Sequence, residues 1–167
     1  MIRTLLALAD ILTGNRETAE RETAYRKPLP NVGLEPHAEP FWEGLNDEEF
    51  RLQRCGDCER YQYFPRPWCH YCGSETLAWE AAAGTGRVIS YAIVRQPVTS
   101  RGFSEEVPYV TAYVALEEGP TVFTKLENCE IDEVENDMAV TVSFDRVTES
   151  VTLFSFEPQP RDCSESP

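Results

Sequence analysis

No stretch of the chain stays apolar over the roughly 20 residues that a helix needs to cross a bilayer. The nearest approach, Leu5-Leu6-Ala7-Leu8-Ala9, has the look of a signal h-region, but Asp10 interrupts it and no small-residue cleavage site follows. The expected location is therefore the cytoplasm. Histidine is scarce: only His37 and His70 occur, in unrelated contexts, and they do not make a catalytic pair. Lysine is scarcer relative to need, with two residues, and 15 basic side chains face 29 acidic ones for a net charge of −14. That balance argues against a general nucleic-acid binder, because phosphate contacts supply most nonspecific affinity. A phosphate-binding glycine loop, an activated cysteine with a nearby histidine motif and an open metal site are all missing. What remains is enough for a core: 41% apolar residues, including three Trp, seven Tyr and eight Phe. A length of 167 residues fits one ordinary domain, or two very small ones of which one needs a metal or other staple.

Cysteine is the residue present in an informative pattern. Four of the six form two C-x-x-C pairs, Cys55/Cys58 and Cys69/Cys72, separated by ten residues. Each pair makes a tight knuckle, and the spacer suffices for a short hairpin that brings the knuckles face to face. Zinc accepts four thiolates tetrahedrally with no open position, so the expected role is structural, with one zinc ion held in a small ribbon. Metal binding supplies folding free energy that so small a piece cannot draw from apolar burial. A redox dithiol and an iron–sulfur centre are the competing readings. His70, inside the second knuckle, reads as a surface residue. Cys129 reads as a partly buried thiol and Cys163 as a tail thiol.

Charge is uneven along the chain. Residues 51–101 carry seven Arg against four acidic residues, whereas residues 102–167 carry three basic against fifteen acidic. The ribbon is a basic island on an acidic protein, able to meet a phosphate-bearing ligand or an acidic partner; solvated surface arginines are the plain alternative.

The pattern predicts a protein that is mainly β with short N-terminal helices. Residues 1–35 read as an extension, with a helix over Ile2–Leu12 stopped by Gly14 and a linker from Lys27 to Gly33. Residues 36–83 read as a helix and the ribbon. The helix is expected over about Pro40–Phe50, with Phe41, Trp42 and Leu45 on one apolar face. Residues 84–157 read as a barrel: strands at Val88–Val94, Tyr109–Leu116, Thr121–Leu126, Ala139–Phe144 and Val151–Phe156, with one long loop after the first. Five such strands match a small closed barrel of the OB type, with a β-sandwich as the rival. Residues 158–167 read as a mobile tail.

The order of these parts resembles the zinc-ribbon/OB-fold proteins called domain of unknown function 35, also described as acyl-CoA-associated proteins. The matching elements are Phe41-Trp42, Arg54-Cys55-x-x-Cys58, Phe64-Pro65-Arg66, Cys69-x-x-Cys72-Gly73-Ser74, Trp79, Gly84-x-Gly86 and the strand Val88–Val94, within roughly residues 36–157. Asn128-Cys129 stands where relatives often carry a glycine-containing turn, and residues 1–35 have no counterpart. The resemblance implies a rubredoxin-like zinc ribbon followed by a five-stranded OB-fold barrel. It also implies a noncatalytic accessory subunit in a hetero-oligomer with a thiolase-fold enzyme that acts on acyl-CoA. Such assemblies include thiolase, hydroxymethylglutaryl-CoA synthase and the retro-aldol cleavage of steroid side chains. In them the small subunit stabilises its partner and helps to line the CoA or acyl channel. Arg54, Arg66, Arg87 and Arg95 are candidates for CoA phosphates or an acidic partner edge, since guanidinium forks suit both. Tyr63, Phe64, Tyr91 and Phe103 are candidates for an acyl or pantetheine path, with core packing as the alternative. Two other functions stay open: a single-stranded nucleic-acid OB module, and a stand-alone acyl-CoA carrier or hydrolase.

Overall fold

The computed structural model describes residue 25, residues 27–96 and residues 102–160. The expected helix over Ile2–Leu12, the thiol of Cys163 and residues 161–167 lie outside the described residues. A 3-10 turn, Pro36–Ala38, leads into one helix, α1 (Glu39–Asn46), with Pro40 in its first turn where a missing N–H is harmless. Phe41 and Leu45 are buried and Trp42 half-buried, the apolar face that the spacing predicts.

The helix stops four residues short of the expected Phe50. Glu48 takes a left-handed backbone at φ 58°, its N–H reaching Leu45 O at 3.1 Å while Glu49 N–H reaches Gly44 O at 2.7 Å. Those two bonds close a Schellman motif. The turn releases Phe50, which is buried as the lead-in to a strand instead of riding on the helix.

The ribbon is a three-stranded antiparallel sheet in the order β2–β1–β3, built from β1 (Arg51–Cys55), β2 (Tyr61–Gln62) and β3 (Leu77–Ala81). Its central strand pairs Gln53 with Gln62 on one side and Gln53 with Trp79 on the other.

Five strands then close a barrel: β4 (Thr85–Val94), β5 (Tyr109–Leu116), β6 (Thr121–Leu126), β7 (Ala139–Arg146) and β8 (Thr152–Pro158), in the order β4–β5–β6–β8–β7 with β7 returning to β4. Counted within the barrel, the order is 1-2-3-5-4, with the third and fifth strands parallel. Closure into this order is the OB arrangement and excludes the sandwich. The segment between β6 and β7 holds only a single 3-10 turn, Ile131–Glu133. Alternation fills the interior, with Val110, Ala112, Val114 and Leu116 of β5 facing Val122 and Leu126 of β6, Val140 of β7 and Phe156 of β8. Pro158 ends β8 and Gln159 N–H donates to Ala139 O at 3.0 Å, so the sheet runs past the point where the tail was expected to begin.

Two glycines set the entry to the barrel. Gly84 has φ +71°, and a Cβ there would meet Val142 Cγ1 at 2.6 Å; a Cβ at Gly86 would drive into the Ala115 carbonyl. The register between β4 and β5 shifts between Val88 and Ser90, where Ile89 bulges outward, half-exposed.

Helix, ribbon and barrel share one aromatic core. The Phe41 ring lies 5.4 to 6.0 Å from those of Trp42, Phe50, Tyr63, Phe64 and Phe154, mostly edge to face.

Candidate metal centre and binding surfaces

The two knuckles are built alike. In the first, Cys55 N–H bonds Arg60 O at 3.0 Å and Glu59 N–H bonds Cys55 O at 3.0 Å; in the second, Cys69 N–H bonds Ser74 O at 2.7 Å and Gly73 N–H bonds Cys69 O at 2.8 Å. The same two ring closures recur fourteen residues apart, each with a left-handed residue directly after the second cysteine, Glu59 at φ 58° and Gly73 at φ 80°. The repeat aims all four sulfurs at one point.

Their Sγ atoms lie within 4.8 Å of one another. Cys55 and Cys72 are 3.6 Å apart, as are Cys58 and Cys69. A zinc ion with bonds of about 2.3 Å places its sulfurs about 3.8 Å apart, whereas a disulfide needs about 2 Å. The donor set therefore fits a four-thiolate zinc site and no disulfide.

Electrostatics agree with that fit. The Cys58 amide, with that of Asp57, pulls the Cys55 thiol down to about 6 against the opposing effect of burial. At Cys72 the Ser74 amide favours the thiolate, but desolvation and the neighbouring sulfurs of Cys55, Cys69 and Cys58 outweigh it and push the thiol up to about 12. One thiolate forms readily in this space. Four need a cation to balance them. Such a closed site leaves no coordination position for substrate, so the chemistry the metal supplies is structural.

The eight other candidates do not converge on one place. Tyr63 and Phe64 belong to the aromatic core, and burial pushes the Tyr63 hydroxyl up to about 12. Arg54 lies on the ribbon, 3.6 Å from Glu80 and 3.7 Å from Glu59, over the Tyr61 ring. Arg66 is exposed on the loop before the second knuckle. Arg87 donates to Asp137 O at 2.8 Å and lines a cleft of about 1060 Å³ whose wall carries Glu130, Glu133, Glu135 and Asp137. Tyr91 and the exposed Arg95 sit toward the far end of β4. Phe103 packs on Tyr109 at 6.3 Å and under Lys27 at 5.4 Å, near that same end through the Val94–Tyr109 pair. His70 is exposed and Cys129 half-buried, as the sequence suggests. Asn128 has φ 52°, a left-handed conformation that asparagine tolerates better than most residues.

Other surface features escape sequence reasoning. Trp68 and Tyr71 flank Cys69 and are 53% and 46% exposed. On the barrel wall Tyr113 and Phe123, 49% and 57% exposed, meet at 5.0 Å. Alternation along β5, with even-numbered residues inward, was the available clue for Tyr113.

Profiles of known families match in the same order as the architecture. Residues 42–78 match the rubredoxin-like zinc ribbon domain of ChsH2, and residues 79–145 match its C-terminal OB-fold domain. A DUF35 domain-containing scaffold protein of Pyrococcus furiosus is 38% identical over 111 residues, covering 65% of this chain and 79% of its own length. The chain belongs to the DUF35 family. A probable enoyl-CoA hydratase alpha subunit of Thermomonospora curvata is 32% identical over 143 residues, or 85% of this chain; the match spans only 43% of that longer relative. Among solved structures, a chain of an Ltp2-ChsH2(DUF35) aldolase superposes with a TM-score of 0.66 at 31% identity, covering 75% of this DUF35 chain and 97% of the other. A DUF35 protein of unknown function from Sulfolobus solfataricus shares the fold at 17% identity and a TM-score of 0.53. The cysteine quartet is thus a zinc-ribbon site, and the barrel is an OB-fold. No helix among the described residues is long and apolar enough to cross a membrane.

Proposed function

We propose that this chain is a noncatalytic accessory subunit of a thiolase-fold enzyme complex that acts on acyl-CoA in the cytoplasm, in lipid or steroid metabolism. Its task is to stabilise the partner and to help form the channel for CoA and its acyl chain. One observation carries the reading: the superposition on the Ltp2-ChsH2(DUF35) aldolase chain takes in 97% of that chain, so nearly the whole of that fold has its counterpart here. The Thermomonospora relative, named for an acyl-CoA activity, supports the substrate class. The chemistry of the cysteine quartet is consistent with this role, since Cys55, Cys58, Cys69 and Cys72 hold a metal that braces the ribbon and touches no substrate. Arg54, Arg66, Arg87, Arg95, Tyr91 and Phe103 are the side chains offered to the partner or to CoA, and Tyr63 and Phe64 brace the surface from within.

Co-expression with the thiolase-fold proteins encoded in the same genome tests the reading. A co-eluting complex is expected, with its thiolytic or retro-aldol activity on acyl-CoA falling when the chain is withheld. Thioester turnover by the isolated chain at enzymatic rates, or no effect on any such partner, overturns it.

A second reading has one observation in its favour. Tyr113 and Phe123 lie on the second and third strands of the barrel, the face on which OB folds stack oligonucleotides. The adjacent Lys125 is already held by Glu127 at 2.9 Å and Glu106 at 3.2 Å, which leaves that face poor in free cations. Salt-sensitive, submicromolar binding of a labelled oligonucleotide would promote it.

A further inference from the structure

The ribbon's interior is polar where it need not be. Gln53 and Gln62, 3% and 1% exposed, face each other across β1 and β2 and bond at 2.7 Å. Their remaining hydrogen bonds all go to one loop. Gln53 accepts from Arg66 N–H at 2.9 Å and donates to Arg66 O at 3.0 Å. Gln62 donates to Trp68 O at 3.3 Å and accepts from His70 N–H at 3.0 Å. Two buried amides thereby fix the backbone of residues 66–70 from below.

Cys69 is buried as a metal ligand and the His70 ring Nδ1 also reaches Gln62 Oε1 at 3.2 Å, but the rest of the loop presents its side chains to solvent. Arg66, Pro67, Trp68 and His70 are exposed. Tyr71 continues the surface, its ring 3.8 Å from His70 and 5.0 Å from the Arg60 guanidinium. Burying amides to hold a loop adds little net stability, since each bond replaces one to water. It does fix the backbone from which a large exposed indole projects, which lowers the ordering cost of binding.

Charge identifies the occupant. Arg51, Arg54 and Arg87 are each paired with a carboxylate. Arg60 and Arg66 have no ion pair among the described residues, on a chain with 29 acidic side chains. Tryptophan, tyrosine and arginine gathered on a rigid surface are the residues that dominate protein–protein affinity. Unneutralised guanidiniums beside them call for carboxylates on the other side.

We infer that the ribbon edge formed by Arg60, Arg66, Trp68, His70 and Tyr71 docks on an acidic polypeptide surface, with Trp68 as the apolar anchor. This rests on the function proposed above, which supplies the partner: the acidic surface is that of the thiolase-fold subunit.

The test uses the zinc-loaded full chain and the thiolase-fold protein that co-elutes with it, with Kd measured at several salt concentrations. Trp68→Ala is expected to weaken binding at least tenfold, and the double variant Arg60→Glu/Arg66→Glu about a hundredfold. Wild-type binding weakens with salt, and Phe123→Ser on the barrel wall binds as wild type. Unchanged Kd values in the Trp68 and double-arginine variants overturn the inference. Loss of zinc from the double variant also overturns it, by assigning the arginines to charge balance at the thiolates. So does self-association of the isolated chain that the double variant abolishes, which assigns the edge to a second copy. Should no thiolase-fold partner bind at all, the proposed function fails, and the edge is then probed with a twenty-residue polyglutamate peptide. Salt-sensitive binding of that peptide, lost in the double variant, sustains the acidic-surface assignment; no binding ends it.

Discussion

Ribbon and barrel sit side by side in one chain and are held together by different means. The barrel runs from Thr85 to Pro158, closes its sheet completely and fills it with alternating valine and leucine side chains around Phe156. The ribbon, from Arg51 to Ala81, fully buries one large aliphatic side chain of its own, Leu52, beside two metal-ligand cysteines and two glutamines. Apolar burial grows with closed, multi-stranded architecture, and a three-stranded sheet of this size cannot reach it. The ribbon replaces that missing burial with thiolate–metal bonds and a satisfied amide network. Removing the metal should therefore separate the two regions most sharply. Structural zinc in comparable small domains contributes on the order of 10–16 kcal/mol. Chelation, or Cys69→Ala, is expected to strip zinc and to release the amides of residues 51–81 to rapid hydrogen exchange, while β5–β8 stay protected. A ribbon that remains protected without metal would show that the glutamines and the aromatic core suffice.

Phe41 belongs to both regions, since its ring touches Tyr63 and Phe64 of the ribbon as well as Phe154 of the barrel. Truncation to alanine should cost about 3–5 kcal/mol, the usual loss for a buried phenylalanine. Thermal unfolding followed by near-ultraviolet dichroism reads the effect. Ribbon and barrel signals are expected to fall together, and a barrel transition left in place would show that the junction carries less of the fold than its packing implies.

Buried polar groups draw the contrast again on a smaller scale. In the ribbon, Gln62→Leu strands the Trp68 carbonyl, the His70 amide and one side of Gln53, for about 1–3 kcal/mol. In the barrel, the Thr124 hydroxyl has among the described residues only a 3.2 Å bond, donated to the adjacent Lys125 carbonyl, and Thr124→Val should stay within about 1 kcal/mol of wild type. Urea denaturation of both variants compares them directly.

Much of this difference between regions was visible in the sequence, for reasons that differ by element. The four cysteines are legible because thiolate geometry demands short, repeated spacing. The five barrel strands are legible because β5 and β6 alternate cleanly and Gly84 and Gly86 mark the entry. The early end of α1 was hidden, since Glu48 is not a residue one expects in a left-handed turn. The Gln53–Gln62 network was hidden for a related reason: glutamine is ordinarily a surface residue, and its partners lie up to 13 residues away. Tyr63 and Phe64 carry an aromatic signature that fits a ligand path as well as a core, and only their contacts with Phe41, Phe50 and Phe154 separate the two. The docking residues Trp68 and Tyr71 sit beside the metal ligands, where attention to the cysteines passes over them.

Within the ribbon the two knuckles offer a last, finer comparison, because they share hydrogen bonds but not the residue at the left-handed position. Gly73 occupies it at φ 80° with nothing near its missing Cβ, so Gly73→Ala meets no steric neighbour and is penalised only through its backbone, by about 1–2 kcal/mol. Glu59 holds the equivalent conformation with a side chain present, and its one ion pair among the described residues is with Arg54 at 3.7 Å, an exposed pair worth little. Glu59→Gly removes the left-handed penalty while adding freedom to the unfolded chain, and the two largely offset. The expected result is a rise of under about 1 kcal/mol, against a clear fall for Gly73→Ala. Zinc-loaded protein unfolded by urea measures both. If Gly73→Ala proves silent and Glu59→Gly destabilises, then the Arg54–Glu59 pair, and not backbone conformation, is what distinguishes the first knuckle from the second.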